Sequence, residues 1–175
     1  MTDKLRVAVT GASGFIGKEF LRAFHDHEVA GMCHSRVRPG LAAVDLKDRD
    51  AVRGFLVRTH PDVVVHCAAR PSVDWCELNP GPAREINFVA TSRLAEECGR
   101  IRATFVFLST DYVFDGASGP YTEADIPNPI NMYGRLKLEA EEAIRGLGNN
   151  HIIVRTTNVY GFDPESKNFL MALLP

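Results

Sequence analysis

Three glycines spaced G-x-x-G-x-x-G, at Gly11, Gly14 and Gly17, follow directly on the apolar run Leu5–Val9. Such a run reads as a buried strand. Past the glycines, Lys18 to His25 reads as a helix, with Phe15, Ile16, Phe20, Leu21 and Phe24 on one apolar face. Strand, glycine-rich turn and helix in that order leave few folds open. Glycine permits the tight turn and lets an anionic group approach the free N–H groups at the helix start. This is the context that a dinucleotide fingerprint requires. It makes Gly11, Ser13, Gly14, Phe15, Ile16 and Gly17 the expected diphosphate-binding segment.

The rest of the chain alternates in the same way. Glu28–Cys33 reads as the second strand, and Asp48 as the N-cap of a helix through Val57. Asp62–Cys67 is the third strand, and a loop with Pro71 leads to a helix from about Pro82 to Arg100. Thr104–Ser109 is the fourth strand. A polar loop from Asp115 to Pro129 precedes a helix from Asn131 to Leu147, and His151–Thr156 is the next strand. Strands apolar throughout are buried on both faces, as in a parallel sheet. The expected fold is α/β, a Rossmann-like doubly wound parallel sheet, with residues 1–175 as one NAD(P)-binding domain. Asn168–Pro175 turns from amphipathic to apolar and stops, the start of a helix that packs on something further along. The domain is therefore expected to be truncated at its C-terminal end.

Composition narrows the partners. The 175 residues are 45% hydrophobic and 24% charged, with a net charge of −2. That balance gives no electrostatic reason to expect nucleic acid or an anionic membrane. No apolar stretch reaches the roughly 20 residues of a membrane helix. Met1–Lys4 runs straight into the first strand, which leaves no room for a signal peptide. Cys33, Cys67, Cys76 and Cys98 form no C-x-x-C pair. A reduced, cytoplasmic protein without a metal site is expected.

The second strand runs into His34-Ser35-Arg36, with no carboxylate. An Asp or Glu there would bind a ribose 2′-hydroxyl, whereas an arginine suits a 2′-phosphate. Arg36, helped by Ser35 and Arg38, points to NADP(H), with NAD(H) the alternative. Asp45 and Leu46 are placed against the adenine. Cys67, Ala68 and Ala69 are small enough at a strand's carboxyl end for a cofactor to lie close.

Tyr133 and Lys137 stand at i and i+4, one turn apart on one helix face. A free tyrosine has a pKa of about 10. A nearby ammonium favours the phenolate, so Lys137 is expected to lower that value. A hydroxyl of Ser109 or Thr110 on a neighbouring strand end would hydrogen-bond a substrate oxygen. These are the parts of a proton donor for carbonyl reduction, or of a base for alcohol oxidation. His66 could relay protons, but a ring satisfied by backbone partners is the expected state. Trp75 could stack on a base, but it is expected to pack the loop after the third strand. Glu139–Glu142 reads as a solvated face.

Gly11-x-x-Gly14-x-x-Gly17, Cys67-Ala68-Ala69, Glu85-Ile86-Asn87, the stretch Leu108–Gly116 and the stretch Pro129–Lys137 together resemble the extended short-chain dehydrogenases/reductases. Within them, Ser109–Gly116 and Pro-x-Asn-x-Tyr-Gly-x-x-Lys are similar to the dTDP-4-dehydrorhamnose reductase family. The match covers essentially the whole chain in order. The resemblance implies an NADPH-dependent oxidoreductase of dTDP-rhamnose biosynthesis, reducing the 4-keto group of a nucleotide-sugar. It implies that Thr110 binds the substrate carbonyl and Tyr133 protonates the developing alkoxide. Lys137 holds the nicotinamide ribose, and Asn87 supports a helix bend and a proton-relay water. Tyr112 is read as packing, Ser109 as a fallback for Thr110, and Arg155–Gly161 as leading to the sugar site. It also implies a substrate domain largely absent from this chain, and leaves a homodimer open. Two alternatives stand beside it. One is a non-catalytic NADP-binding regulatory subunit, similar to the β subunit of methionine adenosyltransferase. The other is a nucleotide-sugar epimerase or dehydratase that retains NAD.

Overall fold

The computed structural model describes residues 4–165 and 168–173. The end of the expected C-terminal segment, Leu174 and Pro175, lies outside them. In chain order the elements are β1 (Arg6–Thr10), α1 (Phe15–Ala23), β2 (Glu28–Cys33), β3 (Leu41–Ala43), α2 (Arg49–Thr59) and β4 (Val63–His66). Then come α3 (Val73–Leu78), α4 (Pro80–Arg84), a π-helical turn over Glu85–Val89, α5 (Ala90–Arg100) and β5 (Thr104–Thr110). A 3₁₀ turn at Asp111–Val113, α6 (Met132–Gly146), β6 (His151–Thr156) and α7 (Phe169–Leu173) complete the chain.

The six strands form one parallel sheet in the order β3-β2-β1-β4-β5-β6. The chain winds outward from β1 in one direction, then returns to pair β4 on the other side. The junction of β1 and β4 is thus the switch point, where open α/β sheets bind ligands. Alternation along each strand divides the core. Val7, Val9 and Val65 pack with Phe20 and Leu21 of α1 and with Phe24 at its C-terminal end. Ala8, Val64, Phe105 and Phe107 face the other way, onto Phe55 and Leu56 of α2, Leu94 of α5 and Ile144 of α6.

Local chemistry sets the helix starts. Asp48 accepts from the N–H groups of Asp50 and Ala51 at 3.1 and 3.0 Å. Asn131 accepts from Gly134 N–H at 2.8 Å, and Ser72 from Trp75 N–H at 3.3 Å. Each such cap contributes about 1 kcal/mol. The sequence shows no strand between β2 and α2, yet Leu41–Ala43 adds β3 at the sheet edge. The sequence also predicts a single helix from about Pro82 to Arg100, where the structure has the end of α4, a π turn and α5, with α3 ahead of them. Periodicity sees α-helical spacing and is blind to a single-turn π insertion.

The Glu139–Glu142 stretch is not simply a solvated face. Glu141 is 0% exposed. Ser109 donates to its carboxylate at 2.5 Å, Arg155 at 3.0 and 2.7 Å, and Arg145 at 2.9 Å. Burial works against the carboxylate, yet Arg155, Ser109 and Arg145 together hold its pKa below the usual value. This cluster ties α6 to β5 and β6.

His66 is also buried, and side-chain hydroxyls rather than backbone groups satisfy it. Its Nδ1 lies 2.7 Å from Thr10 Oγ1 and its Nε2 lies 3.0 Å from Thr91 Oγ1. Burial, and then the Lys137 charge, push its pKa down to about 3. Between pH 6.5 and about 3 the unfolded chain binds a proton that the folded imidazole refuses. Stability is therefore lost as pH falls through that window and is fully present above it. His66→Gln keeps hydrogen-bonding capacity without a titrating ring. Denaturant titrations from pH 4 to 6.5 should show this variant's stability falling less steeply with acid, by up to about 1.4 kcal/mol per pH unit.

Candidate dinucleotide cleft and active site

A cleft of about 460 Å³ opens at the carboxyl ends of β1, β2, β3 and β4. Its size falls in the range of small-molecule sites. Gly11, Ser13 and Gly14 line it from the turn after β1. Ser35 and Arg36 come from the end of β2, Asp45 and Leu46 from the segment after β3, and Cys67, Ala68 and Ala69 from the end of β4. Phe15, Ile16, Gly17, Tyr133 and Lys137 do not line it.

The turn suits a diphosphate. Gly11 has a φ of +62°, and a Cβ there would stand 2.9 Å from the backbone of Ala68. Only glycine allows both that backbone conformation and that approach. Gly14 is the N-cap of α1 and offers no side-chain cap, so the first N–H groups of α1 stay free for an anion. Gly17 works from behind the cleft, because a Cβ there would run into the Gly11 carbonyl. Its smallness lets α1 pack on the turn.

Arg36 is exposed on the cleft wall and makes no hydrogen bond or ion pair among the described residues. Ser35 lines the cleft beside it. Arg38 does not join them, because its guanidinium pairs with Glu165, whose carboxylate also meets Lys18 at 3.0 Å. Asp45 accepts from Lys47 N–H at 3.0 Å and lies 3.7 Å from the His34 ring.

A second group of residues gathers where β5 ends beside α6. Thr110 is buried, and its hydroxyl accepts from Tyr112 N–H at 3.2 Å while donating towards Asp111 at 3.2 Å. Tyr133 is buried, with Tyr112 edge-on at 6.2 Å between ring centroids. Burial, followed by the nearby Cys76, Asp111 and Tyr112 groups, pushes the phenol up to about 12. The expected lowering by Lys137 is therefore not found. Lys137 donates to Leu108 carbonyl at 2.5 Å and lies 3.9 Å over the Phe107 ring. Burial drives its own pKa down to about 7, against the opposing pull of Glu141. Ser109 is no fallback for Thr110, since adjacent strand residues point to opposite faces and its hydroxyl is held by Glu141.

Asn87 sits in the π turn and is buried. Its Oδ1 accepts from Arg70 N–H at 2.8 Å, and its Nδ2 donates to Arg70 carbonyl at 3.1 Å and to Cys76 Sγ at 3.6 Å. Both amide donors are thus used in fixing the loop after β4. Asn87 accompanies a helix irregularity, as expected, and acts here as a positioning residue.

The model of the RmlD substrate binding domain family matches residues 5–175. The chain belongs to the dTDP-4-dehydrorhamnose reductase family of extended short-chain dehydrogenases/reductases. The dTDP-4-dehydrorhamnose reductase from Bacillus anthracis str. Ames, solved in complex with NADP, superposes with a TM-score of 0.86 at 30% identity. That match covers 97% of this chain and 58% of the other. Methionine adenosyltransferase 2 subunit beta from Bos taurus is 39% identical over 158 residues, 89% of this chain and 47% of its own length. The probable low-salt glycan biosynthesis reductase Agl14 from Haloferax volcanii is 40% identical over 159 residues, 87% of this chain and 53% of its own. The chain spans about half the length of the curated relatives that it matches.

Part of the reductase-family cleft escaped the sequence reading. Arg70, Trp75, Pro82 and Ile86 form one wall, supplied by the loop after β4, α3, α4 and the π turn. Ile86 lies within Glu85-Ile86-Asn87 and Trp75 is a candidate to stack on a base, but no local motif marks Arg70 or Pro82. The signal that could have found them is Asn87, which ties this wall to the sheet. Among the described residues, no group of three or more His, Cys, Asp or Glu side chains is placed to hold a metal. No described helix is long and apolar enough to cross a membrane.

Gly134, between Tyr133 and Lys137, explains how α6 reaches the end of β5. A Cβ there would collide with the Tyr112 carbonyl. Gly134→Ala should force α6 away from the 3₁₀ turn and destabilise the fold by about 1–3 kcal/mol in equilibrium denaturation. Unchanged stability would show that α6 is free to move.

Proposed function

We propose that this chain is the cofactor-binding part of an NADPH-dependent reductase acting on a 4-keto nucleotide-sugar, as in dTDP-rhamnose synthesis. One observation carries the reading. Tyr133 and Lys137 of α6 gather with Thr110 at the carboxyl end of β5, next to the cleft at the switch point of the sheet. A phenol and a hydroxyl at one strand end are the groups that bind and protonate a carbonyl oxygen.

The residues divide the work. Gly11, Ser13 and Gly14, with the start of α1, hold a diphosphate. Arg36 and Ser35 take a 2′-phosphate, and Asp45 and Leu46 border the adenine. A reduced nicotinamide, when bound, supplies the hydride. Thr110 hydrogen-bonds the substrate carbonyl oxygen, and Tyr133 gives that oxygen its proton. Lys137 holds the nicotinamide ribose, for which its ammonium has to leave Leu108 carbonyl. Asn87 keeps the loop after β4 in place. The four cysteines are free, which suits a reducing, cytoplasmic setting.

A second reading has a specific support, the 39% identity to methionine adenosyltransferase 2 subunit beta. On that reading the chain binds a nucleotide and serves a partner protein without turnover. The presence of Thr110, Tyr133 and Lys137 together favours chemistry.

Steady-state assays on the full-length protein decide between them. With a 4-keto nucleotide-sugar and NADPH, Tyr133→Phe should lower turnover by about 10²–10⁴-fold while leaving NADPH binding intact. Equal rates in both proteins would remove Tyr133 from the mechanism. NADPH binding without turnover of any keto-sugar would favour the regulatory reading. Arg36→Asp should weaken NADPH by about tenfold or more and move preference towards NADH. Tighter NADPH binding by that variant would refute the 2′-phosphate assignment.

A further inference from the structure

Arg70 stands on the cleft wall formed by the loop after β4. Its backbone is fixed on both sides, since Asn87 binds its N–H and its carbonyl at 2.8 and 3.1 Å. Its guanidinium carbon lies 4.8 Å from the centroid of the Trp75 ring. That guanidinium makes no hydrogen bond or ion pair among the described residues. It therefore differs from Arg38 and Arg84, which are engaged by Glu165 and Glu139. Trp75 is anchored in turn, because it packs in the same apolar cluster as Cys76, Tyr133 and Leu136.

A guanidinium resting on an indole leaves its in-plane N–H donors free. Those donors match the oxygens of a phosphate in a paired fork. Fixing the side chain beforehand reduces the ordering cost of binding. The glycine turn and the open start of α1 line the same cleft. A diphosphate carries two phosphates, and a cleft with two separate sets of anion donors can engage both.

We propose that Arg70, stacked on Trp75, is a second anion contact of the cleft and takes a phosphate of a diphosphate-bearing ligand. This rests on the reading of the cleft as a dinucleotide site. The diphosphate belongs either to the dinucleotide or to the nucleotide-sugar, and both present the same chemistry to Arg70.

Calorimetric titration of the full-length protein with NADPH, with dTDP and with adenosine 2′,5′-bisphosphate tests it. The last has phosphates but no diphosphate. Arg70→Ala should weaken a diphosphate ligand by about tenfold and change adenosine 2′,5′-bisphosphate by less than about twofold. A loss on NADPH identifies the dinucleotide as the source, and a loss on dTDP identifies the sugar nucleotide. Arg70→Lys should recover only part of the loss, because a lysine supplies charge without the stacked fork. Full recovery by lysine would overturn the role given to stacking. Unchanged affinity for both diphosphates, or an equal loss on all three ligands, would overturn the proposal. Absence of NADPH and dTDP binding by the unmodified protein would instead overturn the functional reading beneath it. The sole tryptophan of the chain is Trp75, so its emission reports directly on the stack. A red shift in Arg70→Ala is expected, and unchanged emission would argue that the stack does not form.

Discussion

The approach of Gly11 to Ala68 is the contact on which the rest of the structure depends. It closes β1 against β4 at the switch point of the sheet, with the Gly11 backbone in a conformation that side chains avoid. Thr10 reinforces it, because its hydroxyl accepts from Ala68 N–H at 3.2 Å and also meets His66. His66 continues the chain of contacts to Thr91 on α5. A bulkier residue at Gly11 would separate the two strand ends that line the cleft. The turn, the free start of α1 and the small residues Cys67–Ala69 are thus consequences of one close backbone contact.

A second set of constraints fixes α6. Its start is capped by Asn131, and Glu77 from α3 accepts from Met132 N–H at 2.6 Å. Gly134 in its first turn lets it close on the Tyr112 carbonyl of the 3₁₀ turn, and Glu141 further along anchors it to Ser109 and Arg155. A buried carboxylate is costly unless its hydrogen-bonding capacity is met, and three partners meet it here. α3 takes part twice, since Trp75 borders the cleft and Glu77 holds the helix of Tyr133. The cleft wall and the tyrosine therefore rest on the same short helix.

Elements with a local cause were legible in the sequence. The glycine turn, the cap Asp48 and the apolar strands all declare themselves within a few residues. The fold class and the expected cleft lining after β1, β2 and β4 followed from these. What was not legible depends on tertiary context. β3 is three residues long and is a strand only because β2 offers it an edge. The π turn shows no period of its own. Glu141 reads as one carboxylate among several on a helix, and only the folded position of Arg155 makes it internal. Arg38 resembled Arg36 in sequence, but the fold delivers it to Glu165.

The Tyr133–Lys137 pair shows why spacing alone misjudges electrostatics. One helical turn suggested that an ammonium would stabilise the phenolate. Both groups are instead buried, and desolvation penalises whichever form carries charge. It moves the phenol up to about 12 and the amine down to about 7. The lysine further spends its hydrogen bond on Leu108 carbonyl and its charge on the Phe107 ring. Each shift favours the neutral side chain, so in the ligand-free fold the pair is a protonated phenol beside a weakened cation. The phenol therefore keeps its proton in the ligand-free fold and is a weaker acid there than a free tyrosine, while the phenolate that would take a proton from an alcohol is disfavoured.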